Sequence, residues 1–160
     1  MKKSLLIAPL VFVLIVCFIL PKPKNEIPSF DLLLIDSITH FSTDRIPSGK
    51  PIVLLYFSPD CEHCQKLTAD IINHMNILNN INFYFITYDP YDRMKTFDYY
   101  FGIGRFSNIR IGRDIKYYFP SHFPSVSPPY MAIYDSHKRF RGVYKGEIKT
   151  DTLINFLNHL

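Results

Sequence analysis

The chain has 160 residues, 48% of them hydrophobic, with 14 Phe, 11 Tyr and no Trp. That is room for one domain with an aromatic core, and it excludes a disordered chain. The formal charge of +4 comes wholly from Lys2, Lys3, Lys22 and Lys24, which precede every acidic residue. From residue 25 onward the chain is neutral and carries no nucleic-acid footprint.

Met1-Lys2-Lys3-Ser4 and the uncharged run 5–20 form a basic region followed by an apolar one, the pattern of an export signal. No small-x-small cleavage site follows, so an uncleaved membrane anchor is the first expectation and a secreted or lipidated form the second. About 16 apolar residues are short for a span, though nearby prolines and snorkelling lysines extend it. Cys17 follows Val16, not the small residue that precedes lipidated cysteines, and reads as a membrane-buried hydrophobe. The expected organisation is a signal-anchor or signal peptide over 1–20, a Pro- and Lys-containing linker over 21–29 and one domain over 30–160. The domain would face the bacterial periplasm or cell exterior, tethered to the cytoplasmic membrane.

Residues 30–36 are a first candidate strand. The fully apolar run Ile52–Phe57 is the mark of a strand buried on both faces. From Cys61 to about Asn79, Leu67, Ile71, Met75 and Leu78 recur at helical spacing. A strand over 81–87 follows, then a helix opened by Asp89-Pro90 and closed by Gly102. Residues 114–119 predict a short helical piece stopped by Pro120. A strand over 130–134, a hairpin turn over 135–139 and a strand over 140–145 come next, and Thr150 caps a last helix carrying Leu153, Leu157 and Leu160. This order implies two β-α-β crossovers and a mixed sheet covered on both faces.

The chemistry-bearing motif is Cys61-Glu62-His63-Cys64, directly after the strand 52–57. Cys61 would open a helix, where free N–H groups and the helix dipole favour a thiolate. Cys64 lies one turn on, on the same face, placed to attack a mixed disulfide at Cys61. Two cysteines three apart stabilise little as a structural bridge, so the pair reads as redox chemistry. His63 would favour the thiolate and a more oxidising disulfide, whereas Glu62 opposes it by like charge. His40, His74, His122, His137 and His159 are scattered at no metal-ligand spacing.

The element order, with Cys-x-x-Cys after the central strand and Pro129 opening the strand 130–134, resembles the thioredoxin superfamily over roughly residues 28–160. Its exported, membrane-anchored members, including those serving cytochrome c maturation, are the most similar. The resemblance implies a three-layer α/β fold with a central mixed sheet flanked by helices. It also implies a cis-proline at Pro129 facing the cysteines, and a thiol–disulfide oxidoreductase that needs no cofactor and no metal. Its partners would be exported protein thiols or disulfides and an upstream redox protein. His63 occupies the place of the histidine in the Cys-Pro-His-Cys motif of oxidising members. Three positions depart from the family pattern. Asp60 stands where tryptophan is frequent, Leu55 replaces a buried acid, and Pro128 before the presumed cis-proline removes an N–H from the substrate-docking backbone.

Two rival readings use the same residues. An exported copper chaperone would hold a soft ion through Cys61, His63 and Cys64. A non-catalytic adaptor would keep the fold and a fixed disulfide.

Overall fold

The computed structural model describes residues 26–160. The expected signal or anchor over 1–20 and most of the linker lie outside the described residues. Among those described, no helix is long and apolar enough to cross a membrane.

Seven strands form one sheet in the order β2-β1-β5-β4-β3-β6-β7. They are β1 (Asp31–Leu34), β2 (His40–Ser42), β3 (Ile52–Tyr56), β4 (Asn82–Thr87), β5 (Ile109–Arg113), β6 (Tyr130–Tyr134) and β7 (Phe140–Lys145). The helices are α1 (Glu62–Asn73), α2 (Met75–Leu78), α3 (Tyr91–Phe101), α4 (Tyr118–His122) and α5 (Thr150–Leu157). β3, β4 and β5 run parallel, β6 is antiparallel to β3, and β1 is antiparallel to β5, so the sheet is mixed.

Alternation along β3 builds two cores. Val53 and Leu55, with Phe57 beyond the strand, join a cluster with Leu67, Ile71, Met94, Phe97 and Leu153 from α1, α3 and α5. Ile52, Leu54 and Tyr56 face a second cluster with Ile27, Phe30, Phe119 and Phe123. Each fully buried Leu, Ile or Phe contributes about 1.5–3 kcal/mol, which is why the central strand tolerates no polar residue. Ile27 and Pro28, in the stretch expected as linker, are already buried. The Thr43 hydroxyl donates to the Pro28 carbonyl at 2.6 Å and accepts from Phe30 N at 2.9 Å.

Four expectations are corrected. The strand expected over 30–36 ends at Leu34, because the Asp36 carboxylate accepts from Ile38 N at 3.0 Å and Thr39 N at 2.8 Å and turns the chain into β2. The helical stretch 61–79 divides at His74, whose ψ of 17° separates α1 from α2. The second β-α-β crossover closes on β5, which was not foreseen, and not on the strand 130–134. The helical piece expected over 114–119 is instead Tyr118–His122, with Pro120 inside its first turn. There the missing N–H costs nothing, since first-turn N–H groups have no intrahelical acceptor.

Candidate active site

Cys61 caps α1. Its backbone is extended (φ −82°, ψ 115°), its N–H donates to Ser58 O at 3.1 Å, and its carbonyl accepts the first helical bond from Gln65 N at 3.0 Å. Gln65 Nε2 also ties the preceding turn by donating to Pro59 O at 2.8 Å. The half-buried Cys61 side chain makes no capping bond, which leaves its sulfur at the open end of the helix.

Cys64 faces inward from the first turn of α1, is 1% exposed and belongs to the core cluster of Leu55, Phe57 and Met131. Burial first, and then the hydrogen bond with Cys61, push the Cys64 thiol far above its ordinary value of 9.0. Both cysteines are free thiols. An outer sulfur backed by an inner, neutral one gives the pair a fixed order of access.

The register explains what faces Cys61. Antiparallel pairing of Tyr56 with Tyr130 brings the start of β6 beside the end of β3. The Pro128–Pro129 peptide there is cis, and the Cys61 sulfur lies 3.8 Å from the Pro128 carbonyl oxygen. The family resemblance implied a cis-proline at Pro129; the peptide before Pro129 is cis, and the atom that meets the Cys61 sulfur is the Pro128 carbonyl oxygen.

The charged neighbours have partners that spacing did not reveal. Asp60 pairs with Arg93 of α3 across the mouth of the site, so its charge next to Cys61 is compensated. His63 is exposed, and its Nδ1 lies 2.8 Å from Glu147 Oε1 in the loop after β7, with Lys66 Nζ 3.5 Å from the same oxygen. His63 first, then Lys66, holds the Glu147 carboxyl below its ordinary value. Glu62 is exposed in the first turn of α1. Leu55, the position of the family's buried acid, is 1% exposed and belongs to the apolar cluster of Val53, Phe57 and Met131. Among the described residues no group of three or more His, Cys, Asp or Glu side chains is arranged to hold a metal ion.

The aromatic runs divide. Phe97 and Phe119 are core, whereas Tyr99 is 88% and Tyr100 79% exposed. Tyr100 and Phe97 line a cavity of about 380 Å³ with Asp60 and Arg93, beside the turn that carries Cys61.

Residues 45–160 match the family model described as a thioredoxin-like domain. The chain belongs to the thioredoxin-like family. A secreted disulfide oxidoreductase of Mycobacterium tuberculosis, homologous to E. coli DsbE, superposes with a TM-score of 0.69 at 16% identity, covering 82% of this chain and 96% of that one. DsbF of M. tuberculosis, solved in mixed oxidised and reduced forms, gives 0.70 at 18% identity over 88% and 98%. The exposed lipoprotein thioredoxin Etrx1 of Streptococcus pneumoniae gives 0.64 at 15% over 83% and 100%. No curated protein matches the sequence. The thioredoxin-like family expected from Cys-x-x-Cys and the proline strand is therefore borne out. With it comes the apparatus of a thiol–disulfide oxidoreductase.

Proposed function

We propose that this protein exchanges disulfides with exported protein substrates through Cys61 and Cys64, working in the reducing direction outside the cytoplasmic membrane, to which residues 1–20 tether it. The observation that carries the reading is the asymmetry of the pair: Cys61 half-buried at a helix cap against the Pro128 carbonyl, Cys64 sealed behind it. Secreted and surface-exposed proteins among the structural neighbours support the location.

In the cycle, the Cys61 thiolate attacks a substrate disulfide, forming a Cys61–substrate bond and expelling one substrate thiolate, which takes a proton from solvent. The Cys64 thiol then gives up its proton and attacks the Cys61 sulfur. This closes the Cys61–Cys64 bond and releases the second substrate sulfur. Two electrons pass from the pair to the substrate, and an upstream thiol partner restores them. With Leu55 in place of an acid, the Cys64 proton goes to the departing substrate sulfur or to water. Pro129 walls the site and fixes the approach of the substrate, while Glu62 and His63 tune it.

The test is the reduction potential of the pair against glutathione buffers. A value near about −270 mV marks a reductant and one near about −120 mV an oxidant. The absence of any reversible two-electron couple refutes the reading and leaves the copper-chaperone and adaptor readings in its place.

A further inference from the structure

His63 sits between the two cysteines in sequence, where an imidazole facing the Cys61 sulfur would favour the thiolate and make the disulfide more oxidising. Its ring nitrogen instead meets Glu147 Oε1 at 2.8 Å, an acceptor 84 positions away on the loop between β7 and α5. The same oxygen receives Lys66, so one carboxylate gathers both the imidazole and the ammonium from the exposed face of the first turns of α1. We propose that Glu147 is a positioning residue that draws the His63 imidazole off the redox centre and so keeps the Cys61–Cys64 pair on the reducing side. This rests on the oxidoreductase reading above and adds to it the direction of electron flow.

The contact lies in a groove of about 640 Å³ between α1 and the loop after β7, where Glu147 is the carboxylate that meets His63. On α1 and its C-cap the other titratable groups are Lys66, Asp70 and His74; facing them are Glu147 and Lys149 of the loop and Asp151 of α5. Asp70 is engaged elsewhere, since the Thr150 hydroxyl donates to its carboxylate at 2.9 Å. His74 Nδ1 is bound to the Asp70 carbonyl at 2.8 Å, one turn from its own position. The main-chain path also fixes Glu147: Gly146 N donates to Pro129 O at 2.8 Å, which anchors the loop to the proline that faces Cys61. Without the carboxylate, the imidazole and the ammonium would lose their partner on the first turns of the helix that Cys61 caps. They would stabilise the reduced, thiolate-bearing form over the disulfide.

The experiment uses the full chain equilibrated with reduced and oxidised glutathione. In that exchange the Cys61–Cys64 disulfide takes two electrons and two protons from two glutathiones, which leave as their own disulfide. Glu147→Gln keeps size and exposure but not charge. It should shift the equilibrium toward the dithiol about fivefold, or about 20 mV at the roughly 30 mV that accompanies a tenfold change. The shift should be larger near about pH 6, where an imidazole carries charge, than near about pH 8.5. The same substitution on a His63→Ala background should produce no pH-dependent shift, a distinction that a merely structural role for Glu147 would not make. A normal couple in the native chain with an unmoved couple in Glu147→Gln overturns this inference alone, as does an equal pH-dependent shift without His63. No couple in the native chain overturns the oxidoreductase reading, and this inference with it.

Discussion

The sulfur of Cys61 lies 3.8 Å from the carbonyl oxygen of Pro128, although the two residues stand 67 positions apart. Their meeting follows from one register, Tyr56 opposite Tyr130. Cys64, behind that contact, is out of reach of any incoming protein.

Access therefore fixes the order of the two cysteines. Cys61→Ala should abolish exchange, and Cys64→Ala should accumulate mixed disulfides through Cys61. Mass spectrometry under non-reducing conditions reads this directly. Partners trapped on Cys64 in the Cys61→Ala protein would reverse the assignment.

The raised Cys64 thiol makes the reduced protein sensitive to alkali. Below the ordinary value of 9.0 the group is a neutral thiol whether the chain is folded or not, and its contribution is fully present. As pH rises past that value the unfolded chain loses a proton that the folded chain keeps, so stability falls. The slope from this one group approaches about 1.4 kcal/mol per pH unit. Tyr56 and Tyr134, also pushed up by burial, add a slope of the same sign. Comparing urea midpoints of the reduced native chain and Cys64→Ala between about pH 8 and 11 isolates the cysteine, because the tyrosines are common to both. Equal slopes would show that Cys64 ionises as freely in the folded chain as in the unfolded one.

Arg93 compensates Asp60 next to the nucleophile. The pair is largely exposed, so the effect is modest and screened by salt. Arg93→Gln should slow reduction of a small disulfide about two- to threefold at low ionic strength, with the difference shrinking as salt is added. A rate that is unchanged at low salt would mean that Asp60 does not act on Cys61.

Gly112 tests the sheet that carries the site. A Cβ there would sit 2.8 Å from Leu32 Cβ and 3.3 Å from the Leu33 carbonyl oxygen, so β1 would have to move off β5. Gly112→Ala should cost about 1–3 kcal/mol, read as a lowered urea midpoint with an unchanged m-value. Native stability in that variant would show that β1 yields without loss.

The centre of the molecule was legible because its signals are local. Six apolar residues in a row mark β3, four leucine-like positions at helical spacing mark α1 and α2, and a proline before Tyr130–Tyr134 marks the start of β6. β5 was not legible, since Arg110, Gly112 and Arg113 interrupt its apolar pattern. Gly112 reads as a breaker when its small size in fact serves close packing, and Arg110 stacks its guanidinium on the Phe41 ring at 4.3 Å. β2 is only three residues long, too short for alternation to register. At the site, the cysteines could be placed from the chain alone and Pro129 through the family resemblance. Glu147 and Arg93 could not, because what makes each matter is a contact across many residues with a side chain that has no spacing rule.

The hairpin of β6 and β7 has a further consequence. Asp135 closes its far end, accepting from His137 N at 2.9 Å, Arg139 N at 3.0 Å and Arg139 Nε at 2.8 Å, and a bulge between Ile133 and Tyr134 locks the pairing. Pro129 and Glu147 flank the opposite end, so the proposed wall of the site and the partner of His63 ride on one hairpin. Sequence drift beside the cysteines can change chemistry without loosening the grip. Drift at Asp135 would misalign the proline and the carboxylate together, with no change to any residue that touches sulfur.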